Sequence, residues 1–377
     1  MQKILLFIAS LFYFNFLFSK NEIKSWQGIH ETPLSRLEQQ FAEPPVEFAN
    51  HVIWGWEGKM DKKTICNDLD SIKKKGFRAV IFEAGYKLPF KYLSEEWFKA
   101  IRTGVLEAKK RDMKVWIIDE GKYPSGFAGG KFSQERPDLR MQALVIGDTI
   151  QIKRGEVMTN HKIAPEIISA VAVSTSGAPN RTVEINNGKI SFNAGLDDWK
   201  ILLVKSDFRT AVTRAVNNPN GGKDATNSLC DYLNPVAVQQ FIDWTHKQYK
   251  KYLGKELGTT VLGFRGDEPD YAHLPWTPSI VQTFKDTKGY DPTPYLASFF
   301  TASPTIQEQR VKADYWDVWS SLFATHFFKL QADWCAANGV AHITHLNKEH
   351  EMPACVKAEG DYFRALSKVQ IPGVDAI

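Results

Sequence analysis

The pattern of apolar and polar positions differs between two regions of the chain. In the first region it predicts strands that alternate with helices. Residues 61–75 and 94–113 place apolar side chains at helical spacing, and Asp61 and Ser94 stand where helix N-caps are expected. Alternation of strands and helices about every 30 residues predicts βαβ units and a parallel sheet. The strands are predicted at three short, almost wholly apolar runs: HVIWGW (51–56), RAVIFEA (78–84) and KVWIID (114–119).

The period changes between residues 141 and 215, where apolar and polar residues alternate and Val, Ile and Thr are frequent. A two-residue period predicts antiparallel strands. The sequence Asn186-Asn187-Gly188 is typical of a tight hairpin turn. We therefore expect an inserted β subdomain over 141–215, between a first barrel part (49–140) and its continuation (216–377).

The strand–helix rhythm returns in the last part of the chain, with helices expected over 234–253, 311–338 and 362–367. The expected fold class is therefore α/β, a (β/α)8 TIM-barrel-like sheet that is incomplete at the C-terminus, with the β subdomain inserted. The pattern predicts seven strands over the whole chain: 52–56, 79–83, 114–118, a short one ending near Asp231, 260–266, 340–346 and 372–377.

The N-terminal segment indicates where the protein works. Lys3 precedes an apolar run over 4–18, which is short for a membrane span of ~20 residues. Residues 1–19 are predicted to be a signal peptide of a secreted or periplasmic protein, with no stable membrane insertion once it is removed. An uncleaved anchor is the alternative. Residues 20–48 are polar and proline-containing, and we expect an extended lead-in there.

Charge and cysteine content exclude two classes of site. The 47 basic residues nearly balance the 43 acidic ones, and no run of like charge is longer than Lys73–Lys75, so no nucleic-acid partner is indicated. The four cysteines are widely spaced and form no C-x-x-C motif, so a zinc site is not supported. One disulfide and buried free thiols both remain open.

Acidic residues follow nearly every predicted strand. In (β/α)8 barrels the chemistry lies at the C-terminal ends of the strands. A ring of carboxylates with Trp and His between them suits glycoside hydrolysis, in which one acid protonates the leaving oxygen and another activates water or attacks carbon. The residues at these ends are Trp54, Trp56 and Glu57, then Glu83, Asp119, Glu120, Asp231, Asp267, Glu268, His345, Glu349 and Asp375.

Long motifs in this order resemble the catalytic barrel of glycoside hydrolase family 106, the α-L-rhamnosidase-like proteins. The similarity runs from about Pro33 to the last residue. The motifs that carry it are LSEEWFKAIRTGVLEAKKRDMKVWIIDEGKYPSGFAGG, CDYLNPVAVQQFIDWTHKQYKKYLG, GFRGDEPDY, PWTPSIVQTFKDTKGYDPTPYL and GDYFRALSKVQIPGVDAI.

The resemblance implies a secreted or periplasmic exo-acting hydrolase with two catalytic acids, inversion at the anomeric carbon and a calcium ion near the sugar. Carried over by motif, the two acids are Glu268 and Glu349, and which of them is acid and which is base stays open. The calcium ligands are not assigned. The remaining candidates are expected to bind substrate: Trp54, Trp56, Glu83, Asp119, Glu120, Asp231, Asp267 and His345.

The sequence departs from the family pattern at three positions and in its extent. Arg265 and Gly266 stand where the family more often has an aliphatic or aromatic residue and a Thr, and His350 stands where a second Glu is common. Family members continue past the PGVD segment, which predicts a barrel truncated before closure here.

The expected function is hydrolysis of terminal α-L-rhamnose or a related deoxy-sugar in an oligo- or polysaccharide. The alternatives are a hydrolase for a different sugar and a non-catalytic carbohydrate-binding remnant or inactive fragment of such an enzyme.

Overall fold

The structure is a computed structural model that describes residues 34–43, 50–85, 87–121, 123–209, 228–271 and 274–375. The predicted signal peptide, most of the expected lead-in and the last two residues of the predicted strand 372–377 lie outside these ranges. The described part of the lead-in is helical over Leu34–Ala42 and not extended as expected. Across the described ranges, no helix is both long and apolar enough to cross a membrane.

A six-stranded sheet of parallel neighbours forms one layer of the molecule, in the order β1-β2-β3-β10-β12-β13. The sheet is a half-barrel, and the described part of the chain shows no closed eight-stranded barrel. Its strands are β1 (His51–Trp56), β2 (Ala79–Ala84), β3 (Lys114–Ile118), β10 (Val261–Asp267), β12 (Ala341–His345) and β13 (Ile371–Pro372).

Helices cover one face of this sheet, and local caps explain where several of them begin. The Asp61 side chain accepts from the Thr64 amide at 2.9 Å, and Ser94 caps the next helix from the Trp97 amide at 3.3 Å. The helices are α1 (Leu34–Ala42), α2 (Lys62–Lys74), α3 (Glu95–Lys110), α4 (Lys131–Glu135), α5 (Pro235–Trp244), α6 (His246–Leu253), α7 (Ile280–Lys288), α8 (Ile306–Leu322), α9 (Lys329–Ala337), α10 (Met352–Glu359) and α11 (Tyr362–Leu366).

Two predicted helices differ in detail from the expectation. The helix predicted over 234–253 is broken at Thr245, whose hydroxyl donates to the Phe241 carbonyl at 2.7 Å, so α5 and α6 are separate. The helix predicted over 311–338 begins earlier, at a Thr305–Glu308 capping box, and α8 continues into α9 through a π-helical segment, Phe323–Phe328.

The segment between β3 and β10 folds into antiparallel strands. The predicted tight turn is confirmed, because Asn186 and Lys189 exchange backbone hydrogen bonds of 2.8 and 3.0 Å across Asn187 and Gly188, which both have positive φ. One sheet has the order β11-β4-β9-β6-β7, and β5 pairs with β8. The strands are β4 (Gln142–Ile152), β5 (Val157–Lys162), β6 (Ile167–Ser174), β7 (Arg181–Thr182), β8 (Lys189–Asn193), β9 (Trp199–Phe208) and β11 (Pro275–Trp276).

The strand predicted to end near Asp231 is absent, and this prediction was wrong. Cys230 makes only an isolated antiparallel bridge with Arg140. Asp231 follows in a turn, where its carboxylate accepts from the Leu233 amide at 3.0 Å. A side chain that satisfies local backbone donors favours a turn over a strand ladder.

The register of β10 shifts against its neighbour β3. Val261 is opposite Val115, whereas Gly263 is opposite Trp116, so Leu262 is an extra residue in the ladder. On the other side, β10 pairs with β12 without a shift, down to Asp267 opposite His345.

Candidate active site

The ends of β10 and β12 bring an acid and a histidine together. His345 Nε2 lies 2.8 Å from Asp267 Oδ1, and Arg265 Nη1 lies 3.5 Å from the same oxygen. Burial opposes the charged form of His345, but the hydrogen bond to Asp267 and its negative charge outweigh burial. The pKa of His345 therefore lies above its ordinary value.

The other ring nitrogen of His345 faces the second predicted catalytic acid. His345 Nδ1 is buried, has no hydrogen-bond partner among the residues described, and lies 3.8 Å from Glu349 Oε1. Glu349 itself accepts from the backbone: Leu346 N–H donates to Oε2 at 3.4 Å and Asp375 N–H donates to Oε1. These contacts fix the orientation of the Glu349 carboxylate next to the histidine.

Glu268 directly follows β10 and has a backbone conformation that is rare outside glycine. Its φ is 39°, in the left-handed region, where a side chain costs energy and where functional residues are over-represented. Burial, followed by the charges of Asp267, Asp375 and Glu349, raises the pKa of Glu268 above its ordinary value, although His345 opposes the shift. The structure thus brings Glu268 and Glu349 into one electrostatically coupled cluster, which we call the carboxylate cluster: Asp267, Glu268, His345, Glu349 and Asp375.

Part of the carboxylate cluster has the arrangement of a metal site. Glu268, His345 and Asp375 each place one donor atom within 4.8 Å of the others. Calcium prefers six to eight oxygen ligands, whereas an imidazole nitrogen is typical of zinc and other transition metals. The set of two carboxylates and one imidazole therefore does not match the all-oxygen shell of the calcium ion that the resemblance implies.

Asp119 is connected to the carboxylate cluster through Ser125. The Ser125 hydroxyl donates to Asp119 Oδ1 at 2.7 Å and accepts from the Asp267 backbone N–H at 2.7 Å. Asp119 is fully buried, and its Oδ2 has no hydrogen-bond partner within the described residues. Burial, with the negative charge of Asp267 as a further contribution, raises its pKa to about 7.

Glu120 points into the loop that follows β3. Its carboxylate accepts from three backbone amides, those of Gly121 (2.7 Å), Gly129 (3.1 Å) and Ala128. These bonds favour the ionised form, but complete burial dominates and raises the pKa of Glu120 to about 8. Glu120 thus ties the backbone at Gly121 to the backbone at Ala128 and Gly129.

Asp231 is also satisfied by the protein itself. It accepts from Thr277 Oγ1 at 2.7 Å and from the Tyr271 hydroxyl at 3.4 Å, besides the Leu233 amide. Burial raises its pKa to about 7. The structure therefore places Asp231 among internal donors at the base of a turn.

Trp54 and Trp56 lie on the opposite face of the half-barrel from Asp267. Trp56 is fully buried, with ring centroids 5.3 Å from Trp54, 4.9 Å from Phe82 and 5.7 Å from Trp97 of α3. They share one face, as their spacing indicated, and that face packs under the helices. We predicted that Trp54 and Trp56 contact substrate, but the structure packs both rings against the helix-covered core instead.

Glu83 lies on the other face of β2. It is opposite Gly55 of β1 and alternates with Phe82 and Ala84, which belong to the helix-covered core. Glu83 is half-buried and takes part in interactions of its own. It therefore faces the same side of the sheet as Trp116 and Ile81.

The sequence analysis did not identify one buried acid of this region. Glu359, the last residue of α10, is 1% exposed and accepts from the Asn347 backbone N–H at 2.9 Å, while its Oε2 has no partner in the described ranges. Burial, followed by the charges of Asp270, Glu268 and Glu349, raises its pKa well above the ordinary value. Glu359 ends a helix and does not directly follow a strand, so a search for acids at strand ends could not find it.

All four cysteines are free thiols. This observation favours the second of the two possibilities that the sequence left open.

A family model matches more than half of the chain, and two known proteins resemble it in sequence or in fold. The glycoside hydrolase family 106 model, described as α-L-rhamnosidase, matches residues 155–373. The protein "Putative beta-glucuronidase" of Formosa agariphila is 23% identical over 360 residues, which is 81% of this chain and 30% of that protein. The structure of a rhamnosidase from Novosphingobium sp. PP1Y has a TM-score of 0.61 at 14% identity, over 88% of this chain and 48% of the other, and shows similarity of fold. The chain thus spans less than half of the length of each of these two proteins.

Proposed function

The chain belongs to glycoside hydrolase family 106, the α-L-rhamnosidases, and from this premise we propose that it hydrolyses the bond to a terminal α-L-rhamnose or related deoxy-sugar in an oligo- or polysaccharide. The observation that carries the proposal is the meeting of Glu268 and Glu349 beside His345 at one end of the half-barrel. Two carboxyl groups at one site are what glycoside hydrolysis requires.

The environments of the two acids suggest how the roles divide. A general acid must hold its proton near working pH, and burial together with three neighbouring acids raises the pKa of Glu268. We assign Glu268 the protonation of the leaving oxygen. Glu349, oriented by two backbone amides, is then the base that takes a proton from the attacking water. An attack by water on the opposite side of the sugar would invert the anomeric carbon.

His345 and Asp267 support this pair. The hydrogen bond to Asp267 orients the imidazole so that Nδ1 faces Glu349. We propose that His345 contacts the sugar or the water near Glu349.

The calcium ion near the sugar that the resemblance implies stays a prediction; its ligands are not assigned, and no step is assigned to it. If it binds, its chemistry would be to orient sugar hydroxyls through oxygen coordination. Its ligands would be residues other than Glu268, because a coordinated carboxylate cannot hold the proton that the general acid needs. A rise in the unfolding temperature with calcium that EDTA reverses would support the prediction.

The arrangement of the half-barrel supports a larger proposal about the fold. Its parallel strands follow each other in chain order and alternate with helices, as in (β/α)8 barrels. We propose that it corresponds to the major part of such a barrel. Export through the predicted 1–19 signal peptide also stays a proposal.

A uronide is the second candidate substrate. Arg265 lies beside Asp267 and departs from the family pattern, and a guanidinium is suited to a sugar carboxylate. The name of the Formosa agariphila relative points to the same chemistry.

The test is hydrolysis of an aryl α-L-rhamnoside and an aryl β-D-glucuronide by the wild type and three variants. Glu268→Gln and Glu349→Gln should each lower kcat by about 10²- to 10⁴-fold, because each removes one proton transfer. Glu38→Gln is the matched control, since Glu38 is an exposed acid of α1, outside the ring of strand-end residues and outside the carboxylate cluster.

The substrate that is cleaved decides between rhamnoside and uronide. Unchanged rates in both cluster variants would exclude the assigned roles. Binding of L-rhamnose without turnover by the wild type would support the alternative of a carbohydrate-binding protein.

A further inference from the structure

A cleft in the antiparallel part of the molecule carries chemistry that the proposed hydrolysis does not use. It has a volume of about 500 Å³ and lies between β7 and the β5–β8 pair. None of its lining residues belongs to the carboxylate cluster. Its lining includes Asn160, Arg181, Glu184, Asn186, Lys189 and Asn193, and we call it the β7–β8 cleft.

Arg181 is exposed on β7 and makes three contacts within the cleft. Its guanidinium carbon lies 4.4 Å from the ring centroid of Phe192 and 5.3 Å from that of Trp199, and Nη1 donates to the Asn193 carbonyl at 2.8 Å. Stacking on aromatic rings and one backbone bond fix the planar fork before any ligand arrives. Such preorganisation lowers the entropic cost of binding.

Within the described ranges, Arg181 forms no ion pair with a carboxylate, and neither does Lys189 of the same cleft. Fixed guanidinium groups of this kind recognise carboxylate and sulfate-like oxygens through paired hydrogen bonds. The positive side of the cleft is thus set up for an anion.

The other lining groups fit the hydroxyls of a sugar. The amide side chains of Asn160 and Asn186 offer both donors and acceptors, and Ser191 adds a hydroxyl. A cleft of this volume is within the range of small-ligand sites. Glu184 is the one acid in the lining, and it opposes binding of an anion.

We propose that the β7–β8 cleft binds an acidic sugar residue, a uronate or a sulfate ester, within a glycan. This function goes beyond hydrolysis at the carboxylate cluster. Binding in the cleft would attach the protein to an acidic polysaccharide independently of which bond is cleaved.

Isothermal titration calorimetry with tetragalacturonate and with its methyl ester tests the proposal, because the two differ in charge at the same sugar skeleton. A sulfated galactan tetrasaccharide serves as the probe for sulfate. The wild type should bind at least one of the two anionic probes, and at least about tenfold more tightly than the methyl ester. Equal affinity for the methyl ester, or no binding of either anion, would overturn the proposal.

Variants assign the binding to the cleft. Arg181→Gln should weaken binding at least about tenfold, and Arg181→Lys, which keeps the charge but loses the fork, should lie between it and the wild type. Arg154→Gln, an exposed arginine of the same region outside the cleft, is the matched control and should stay within about twofold.

Glu184→Gln provides a test of opposite sign. Removal of its negative charge should strengthen binding of the anionic probes. Weaker binding in Glu184→Gln, or an unchanged affinity in Arg181→Gln whose circular dichroism matches that of the wild type, would count against the β7–β8 cleft.

Discussion

Two groups of acidic residues near the ends of the parallel strands differ in what surrounds them. Asp119, Glu120 and Asp231 are completely or almost completely buried, and each accepts from protein hydroxyls or backbone amides. In the carboxylate cluster, by contrast, Glu268 is half-buried and lies near other acids and a histidine.

The comparison separates two uses of the same residue type. A buried acid that accepts from loop amides stabilises one conformation of that loop. An acid that is close to other acids gains a raised pKa and keeps its hydrogen-bonding capacity for a ligand. Glu120 and Glu268 thus differ in burial and in donors although both follow a strand, and Glu349 combines two backbone donors with a place in the carboxylate cluster.

The largest effect should come from Glu120→Ala. Three backbone amides would lose their acceptor in a buried loop, at about 1–3 kcal/mol each, so we expect a loss of about 5 kcal/mol in the free energy of unfolding. Denaturant unfolding measures it. Glu57→Ala, at an exposed position, is the control, and equal losses in the two variants would remove the distinction.

A smaller effect is expected from Asp119→Asn, and it depends on pH. The folded-state pKa of Asp119, about 7, lies above its ordinary value of 3.8. Its contribution to stability is therefore complete below pH 4 and is lost as pH rises through 7. The difference corresponds to roughly 4 kcal/mol between pH 4 and pH 8.

Asn does not titrate, so the variant should lose correspondingly less stability than the wild type over this range. Unfolding free energies at pH 4, 6 and 8 give the two slopes. Parallel slopes would mean that the Asp119 carboxyl is not the titrating group.

The smallest effect on stability is expected from Asp375→Asn, in the carboxylate cluster. The charge of Asp375 contributes to the raised pKa of Glu268. Its removal should lower that pKa and move the alkaline limb of the kcat–pH profile to lower pH, with a stability change within about 0.5 kcal/mol. Glu351→Gln, an exposed acid on the neighbouring loop, should leave the profile in place. A shift to higher pH in Asp375→Asn would contradict the role of Glu268 as the acid.

Local signals in the sequence predicted much of the fold. Asp61 and Ser94 cap the helices that their positions indicated, and the apolar runs at 51–56 and 114–118 are neighbours of β2 in the half-barrel. The turn at Asn187-Gly188 forms because both residues accept a positive φ. Helix caps, tight turns and apolar periodicity depend on residues close together in the chain, so one sequence is enough to predict them.

Contacts between distant segments were not predictable in the same way. The spacing of Trp54 and Trp56 predicted that both lie on the same face of the sheet. It did not predict which face, because that depends on the packing of α3 against Trp56. The turn at Asp231 depends on Thr277, 46 residues away. Ser125, which is bonded to Asp119, also accepts from the Asp267 amide 142 residues away, a link that no local pattern contains.

The extra residue at Leu262 sets the phase of the strand that leads to the site. From Gly263 onward, each side chain of β10 faces the side opposite to the one that an unbroken ladder with β3 would give it. Asp267 consequently faces His345, and Phe264 enters the helix-covered core. Without this extra residue opposite β3, an unbroken ladder of the same sequence would turn the Asp267 carboxylate toward the helix-covered core and the Phe264 ring toward the other face. Deletion of Leu262 would remove the bulge and leave both side chains on their present faces, so the orientation of residue 267 depends on how the sheet accommodates residue 262.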